Sequence, residues 1–245
     1  MDYQTYRFSK KEKMLNVLVF LVLVGVISYL FYRSVIAFLL LLGLFPLFIK
    51  IRKEDGKKKR QQLLAEQFLS GMQSVSTALT AGYSVETAFE EALMELRNMY
   101  NEEALIVGEF RYIVSQLHMN RNLEELLCGL ALRSGIEDIR DFADVFSAAK
   151  RTGGNLVSII RNTILCVSQK EETRMEIQTC LSAKKLEQNI MSLVPCLILF
   201  YVQVMSPRFL DVMYHNVAGT IIMTICLLIY VGAWYWGRKI VDIEV

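Results

Sequence analysis

Glu86 and Glu90 stand four residues apart, and Glu91 and Glu95 repeat that spacing, so one short stretch carries two carboxylate pairs. Residues four apart on a helix are side-by-side neighbours. With Glu109 as a third oxygen donor, Glu86 and Glu90 have the ligand type that a hard divalent cation takes. The same four residues, Glu86, Glu90, Glu91 and Glu95, also read as a docking surface for a basic partner face, or as a solvated helix face. Little else in the chain has catalytic spacing. His118 and His215 are isolated, form no HExxH pair and are expected on opposite sides of a membrane, so each reads as a lone surface histidine. Cys128, Cys166, Cys180, Cys196 and Cys226 are scattered without a CxxC pair, which argues against a disulfide framework or a zinc site. No GxxxxGK[ST] loop is present to cradle phosphates, so the chain is not its own nucleotide-driven motor. No catalytic residue, cofactor or metal is expected, and the chain reads as non-enzymatic.

The elements that must position the carboxylates read as helices. From Lys57 to Glu187 there is no convincing run of period two, and no proline stands between Pro46 and Pro195. Leu64, Phe68, Met72, Val75 and Leu79 mark one apolar stripe of helical period. It ends at Ala81-Gly82, and Ser84 is expected to cap a second helix that buries Val85, Ala88, Phe89, Ala92, Leu93 and Leu96. Leu105, Phe110, Ile113, Val114 and Leu117 belong to a third. A fourth follows Asn122, with Leu123, Leu126, Leu127 and Leu130 inward and Glu124 and Glu125 at the positive end of its dipole. Beyond Ser134-Gly135, a fifth carries Ile139, Phe142, Ala143, Phe146 and Ala149. Gly153 and Gly154 stop it and Asn155 caps a sixth, which runs about 50 Å without a breaker from Leu156 to a membrane span. Six amphipathic helices joined by short turns can bury their stripes only against one another, so an antiparallel six-helix bundle is expected. Gly82-Tyr83-Ser84-Val85 and Gly153-Gly154-Asn155-Leu156 echo each other. Helix punctuation accounts for the echo, and duplication of a three-helix half is the alternative.

Apolar runs bracket this insert. Leu15 to Phe31 and Val35 to Ile51 form one pair, Ile190 to Met205 and Ala218 to Trp236 another, each close to the roughly 20 residues that cross a bilayer as a helix. Hydrophobic residues make up 53% of the chain and charged ones 21%, which requires the two kinds to be segregated. The expected organisation is an N-terminal segment (1–14), a transmembrane hairpin (15–51), a helical domain (52–188), a second hairpin (189–236) and a tail (237–245). A signal peptide is the competing reading of the start, but no small-residue cleavage pattern follows the first run. Lys50 to Arg60 holds seven basic residues, including the topology anchor Lys57, Lys58, Lys59 and Arg60. Basic residues are retained on the cytoplasmic side, so both termini and the insert are expected there. Gln61 to Glu187 has 12 basic and 18 acidic residues, a net of −6. That is a poor footprint for nucleic acid and a good one for a cationic stalk at anionic lipid with an acidic body beneath it.

Leu79-Thr80-Ala81-Gly82-Tyr83-Ser84-Val85-Glu86-Thr87-Ala88 resembles the L-x-A-G-x-S-L-x-x-A element of the type II secretion system F domain (GspF-like). Phe146 to Leu156, a small-residue helix ending in Gly153-Gly154-Asn155, resembles that domain's second hallmark. One such domain between two hairpins, closing on Gly237-Arg238-Lys239-Ile240, is similar to the Tad (tight adherence, Flp-type) pilus assembly proteins TadB and TadC. The resemblance covers roughly residues 15–245. It implies an inner-membrane platform that couples a cytoplasmic assembly ATPase to the extraction and assembly of pilin subunits. Larger members carry two F domains, so this chain is expected to work with a second single-F-domain membrane protein or as an oligomer. Two other classes stay open, a small transporter or channel and a membrane signalling protein. The absence of mid-membrane charge speaks against the first, and the lack of a nucleotide-binding domain against a kinase-like form of the second.

Overall fold

In a computed structural model, the residues described are 3, 8, 10–32, 35–152, 156–206 and 217–241. Among them the chain is all-helical, with no strand: α1 (Lys10–Phe31), α2 (Val35–Leu42), α3 (Phe45–Thr80), α4 (Val85–Met99), α5 (Leu105–Leu117), α6 (Leu123–Ser134), α7 (Glu137–Thr152), α8 (Leu156–Met205) and α9 (Val217–Val241). The described residues fall into two compact units, a polar one within Met1–Arg7 and Lys53–Glu172, and an apolar one within Phe8–Arg52 and Thr173–Val245.

The polar unit has one core. Leu64, Phe68, Met72, Val75 and Leu79, the stripe on α3, are all buried, together with Phe89 and Leu96 of α4, Phe110 and Ile113 of α5, Leu127 and Leu130 of α6, Ile139, Phe142 and Phe146 of α7, and Ile160 and Ile164 of α8. Ring pairs tie the layers together: Phe68 meets Phe142 edge-on at 5.7 Å, and Phe89 lies 5.5 Å from Phe110. Gly71 allows α3 to approach its neighbours, because a Cβ there would stand 2.7 Å from the Phe110 ring and 3.1 Å from Leu96. Polar cross-links run at the edges, from Lys170 to Asp138 at 2.6 Å and from Lys150 to Glu124 at 2.9 Å.

Helix ends follow local chemistry, with one departure from expectation at the start of α3. Asn122 stands at the N-cap of α6, but its side chain makes no capping hydrogen bond. The helix expected from Lys57 instead begins at Phe45 and passes unbroken through Gly56, because a single internal glycine costs only about 1 kcal/mol against alanine and no proline follows Pro46 in this stretch. Gly135 ends α6 in the left-handed region at φ 63°, donating to the Ala131 carbonyl at 2.9 Å. Gly153, Gly154 and Asn155, expected to end α7 and cap α8, lie outside the described residues, as does His215.

Among the described residues, three helices are long and apolar enough to cross a membrane: Lys11–Phe31, Val157–Met205 and Ala218–Ile240. Their large side chains, among them Leu18, Leu197, Phe200, Leu228 and Ile229, are exposed. An apolar surface of that extent belongs in lipid, and the chain is a multi-pass membrane protein. The run Val35 to Ile51, expected as one span, is divided at Gly43-Leu44 into α2 and the first turns of α3. Pro46 explains the break. Inside a continuous helix its ring would meet the Leu42 carbonyl, whereas in the first turn of α3 its missing N–H costs nothing. Phe20 of α1 packs on Phe45 and Phe48 with ring centres 5.2 Å away in both cases. Tyr32 donates to the Thr224 hydroxyl at 3.1 Å, and Tyr230 donates to the Ser192 carbonyl at 2.7 Å, in the turn before Pro195, the one proline inside α8.

Candidate functional site

The turn between α3 and α4 is built by the residues of the Leu79–Ala88 motif. Gly82 adopts φ +93°, a left-handed conformation that favours glycine. Its N–H reaches the Leu79 carbonyl at 3.1 Å, and the Tyr83 N–H reaches Ala78 at 3.2 Å. This pair of bonds satisfies carbonyls that the end of α3 would otherwise leave bare. Ser84 then caps α4, its Oγ accepting from the Thr87 N–H at 3.2 Å. The turn throws Tyr83 outward, half exposed at 51%.

Beside this turn lies an open groove of about 530 Å³ between α3 and α4. Small residues form its α3 side, Ser74, Thr77 and Ala78, with Ala81 and Tyr83 from the turn. From α4 come Glu91, Met94, Glu95 and Asn98. Glu91 and Glu95 sit one turn apart and both are exposed, as is Met94 at 51%. No basic residue lines the groove, so its two carboxylates face solvent uncompensated from within it. An aromatic ring, a flexible thioether and two acids on a small-residue floor suit an apolar side chain flanked by Lys or Arg.

The four acidic residues of α4 are not equivalent. Glu91 and Glu95 line the groove, whereas Glu86 is exposed and outside its lining. Glu90 pairs with His118 Nε2 at 3.0 Å, joining the surface of α4 to the end of α5. Glu109, expected as a third cation ligand beside Glu86 and Glu90, is buried and committed elsewhere: its Oε2 accepts from Arg133 at 2.7 Å and its Oε1 from Tyr3 at 2.8 Å. Among the described residues no group of three or more His, Cys, Asp or Glu could hold a metal ion.

Of the anchor residues, Lys58 and Lys59 are exposed and Lys57 is half-buried. Arg60 does more than mark topology. Its guanidinium covers the Tyr3 ring at 5.0 Å, within reach of a cation–π contact. Tyr3 itself is 1% exposed, and its buried seat beside the Glu109 carboxylate pushes the phenol well above its usual range. Sequence reasoning missed this seat entirely, since the aromatics of the short polar N-terminal stretch, Tyr3, Tyr6 and Phe8, set no helical or strand period. Compared with known proteins, the chain matches no family model, no curated protein and no solved structure.

Proposed function

We propose that the chain is a non-enzymatic inner-membrane platform of the kind its motifs resemble, a Tad/Flp-type or type II secretion-like assembly protein. Its polar unit holds a cytoplasmic assembly ATPase, and its membrane helices serve pilin subunits leaving the bilayer, in company with a second single-F-domain protein or further copies of itself. The observation that carries this reading is the coincidence of motif and groove. The residues that resemble the F-domain element fold into the turn whose Ala81 and Tyr83 line the groove, and the α4 they cap supplies Glu91 and Glu95. Four membrane passes, with both termini and an antiparallel bundle of six helices on the cytoplasmic side, complete the proposal. The second pass is made by α2 and the start of α3 in two pieces.

Affinity purification of the full-length protein from native membranes in mild detergent, with mass spectrometry of the bound chains, tests the reading. Recovery of a secretion-type ATPase and a second F-domain protein is the expected result. Loss of the ATPase, and only of the ATPase, is expected from Glu91→Lys with Glu95→Lys, by about 3 kcal/mol or roughly a hundredfold where close charge pairs are reversed. If the intact protein brings down neither partner, the platform reading is wrong. If the charge-reversed protein still holds the ATPase, the groove is not its seat.

A further inference from the structure

Both walls of the groove between α3 and α4 carry one pattern. On the α3 side Ser74, Thr77 and Ala78 lead to Ala81, in steps of three, one and three. On the α4 side Glu91, Met94, Glu95 and Asn98 repeat the same steps. That is the seam with which a helix faces a neighbour, and each seam is about 10 Å long at 1.5 Å per residue. The two differ in chemistry. Ser74 and Thr77 turn their hydroxyls back on α3, donating to the Ser70 carbonyl at 3.2 Å and the Gln73 carbonyl at 3.0 Å, so this wall meets a partner with small, effectively apolar groups. The α4 wall holds the charge. Glu90 is paired with His118, whereas Glu91 and Glu95 make no ion pair or hydrogen bond among the described residues.

Two such seams side by side are what a third helix packs against in a bundle. A helix brings its own backbone hydrogen bonds complete, whereas an extended segment brings bare N–H and C=O groups. The groove has little to offer them, since its α3 hydroxyls are already committed and no strand stands among the described residues. Met94, exposed and flexible, adapts to the side chains of a helix laid beside it. Charge selects which helix. Gln61 to Glu187 nets −6, so a second copy of the same acidic body is disfavoured at Glu91 and Glu95 and a basic face is favoured. Resting on the reading of this groove as the seat of the assembly ATPase, we propose that its occupant is a basic amphipathic helix of that partner, with small or apolar side chains toward α3 and two Lys or Arg residues four apart toward Glu91 and Glu95. The spacing follows from the acids. They stand about 6 Å apart along α4 at 1.5 Å per residue, and residues four apart on a helix running beside α4 repeat that rise.

The test uses the full-length protein in native membranes, with photoreactive benzoylphenylalanine in place of Thr77 in one protein and of Met94 in another, and mass spectrometry to read the residues joined. From each position the joined residues are expected to recur three or four apart along one segment of the ATPase, and that segment is expected to carry the basic pair. Joined residues at alternate positions, a segment without the basic pair, a second copy of this chain, or no product at all overturns the inference. Where the ATPase still co-purifies with the unaltered protein, those outcomes leave the platform reading standing, and where it does not, both fail. A second measurement uses charge. Replacing the two basic residues of the joined segment by Glu is expected to restore, by at least about tenfold, the binding lost with Glu91→Lys and Glu95→Lys. No restoration overturns the inference as well.

Discussion

At Gly82 one backbone angle decides how α3 gives way to α4. With φ at +93°, an L side chain is strained whatever the space around it, and the space is open, since a Cβ there would meet nothing within 4 Å. The cost of substitution is thus a backbone cost, about 1–2 kcal/mol for alanine and more for a β-branched residue. Thermal unfolding of the detergent-solubilised protein, followed by helical circular dichroism, should rank glycine above asparagine, asparagine above alanine, and alanine above valine at this position. A Gly82→Val protein as stable as Gly82→Asn would show that the turn is not held left-handed in solution. This residue and Ser84 were legible in the sequence because their evidence is local, a glycine two places before a capping hydroxyl. Glu109 was not. Its partners are 24 and 106 residues away, and no spacing rule connects an acid on one helix to a tyrosine near the chain start. The acids of α4 were legible as a set but not as individuals, since helical spacing does not distinguish Glu90, paired with His118, from Glu91 and Glu95 in the groove.

Helices are where the pattern of residues and the packing agree most closely. Every residue of the α3 stripe is buried because the side chains that recur at helical period are those that must leave water together. Glycines inside these helices have no such common reading, and the same substitution should act in opposite directions at two of them. Gly71→Ala adds a methyl 2.7 Å from the Phe110 ring, and overpacking of this kind costs about 1–3 kcal/mol. Gly108→Ala on α5 meets nothing within 4 Å, and relief of the helix penalty should stabilise by up to about 1 kcal/mol. Thermal unfolding of the two variants beside the wild type decides the matter. Stabilisation of both would mean that α3 and α5 do not approach each other at Gly71 as closely as the structure has them, and destabilisation of both would mean that Gly108 has no room for a methyl. Two features of the elements escaped the sequence for physical reasons. The start of the polar stretch at Arg52 changes the solvent a helix prefers but not its backbone, so α3 continues across it. The division of the second apolar run follows from where Pro46 falls in its helix, a position that hydropathy does not register.

Across the whole chain, the proposed four membrane passes can be set against where Tyr3 is held. Tyr3 is packed within the same unit as Lys53–Glu172, and α1, long and apolar enough to cross a bilayer, stands between them in sequence. If α1 crosses, the chain must return before Lys53, and only the run from Val35 to Ile51 is available to do so. Alone, α2 covers about 12 Å at 1.5 Å per residue, well short of the roughly 30 Å hydrocarbon core, so on this proposal the first turns of α3 would have to complete the return. On that proposal the seven basic residues from Lys50 to Arg60 would sit where positive charge is retained. Single cysteines placed at Ser9, Ser34, Lys58 and Ser206, in a protein whose own five cysteines are replaced, make this testable. With a membrane-impermeant maleimide on intact spheroplasts, Ser34→Cys and Ser206→Cys should label at once, and Ser9→Cys and Lys58→Cys only after permeabilisation. Labelling of Ser9→Cys and Lys58→Cys from opposite sides would mean that the run from Val35 to Ile51 does not cross. It would also place Tyr3 on the wrong side of the bilayer to reach Glu109, so the two findings stand or fall together.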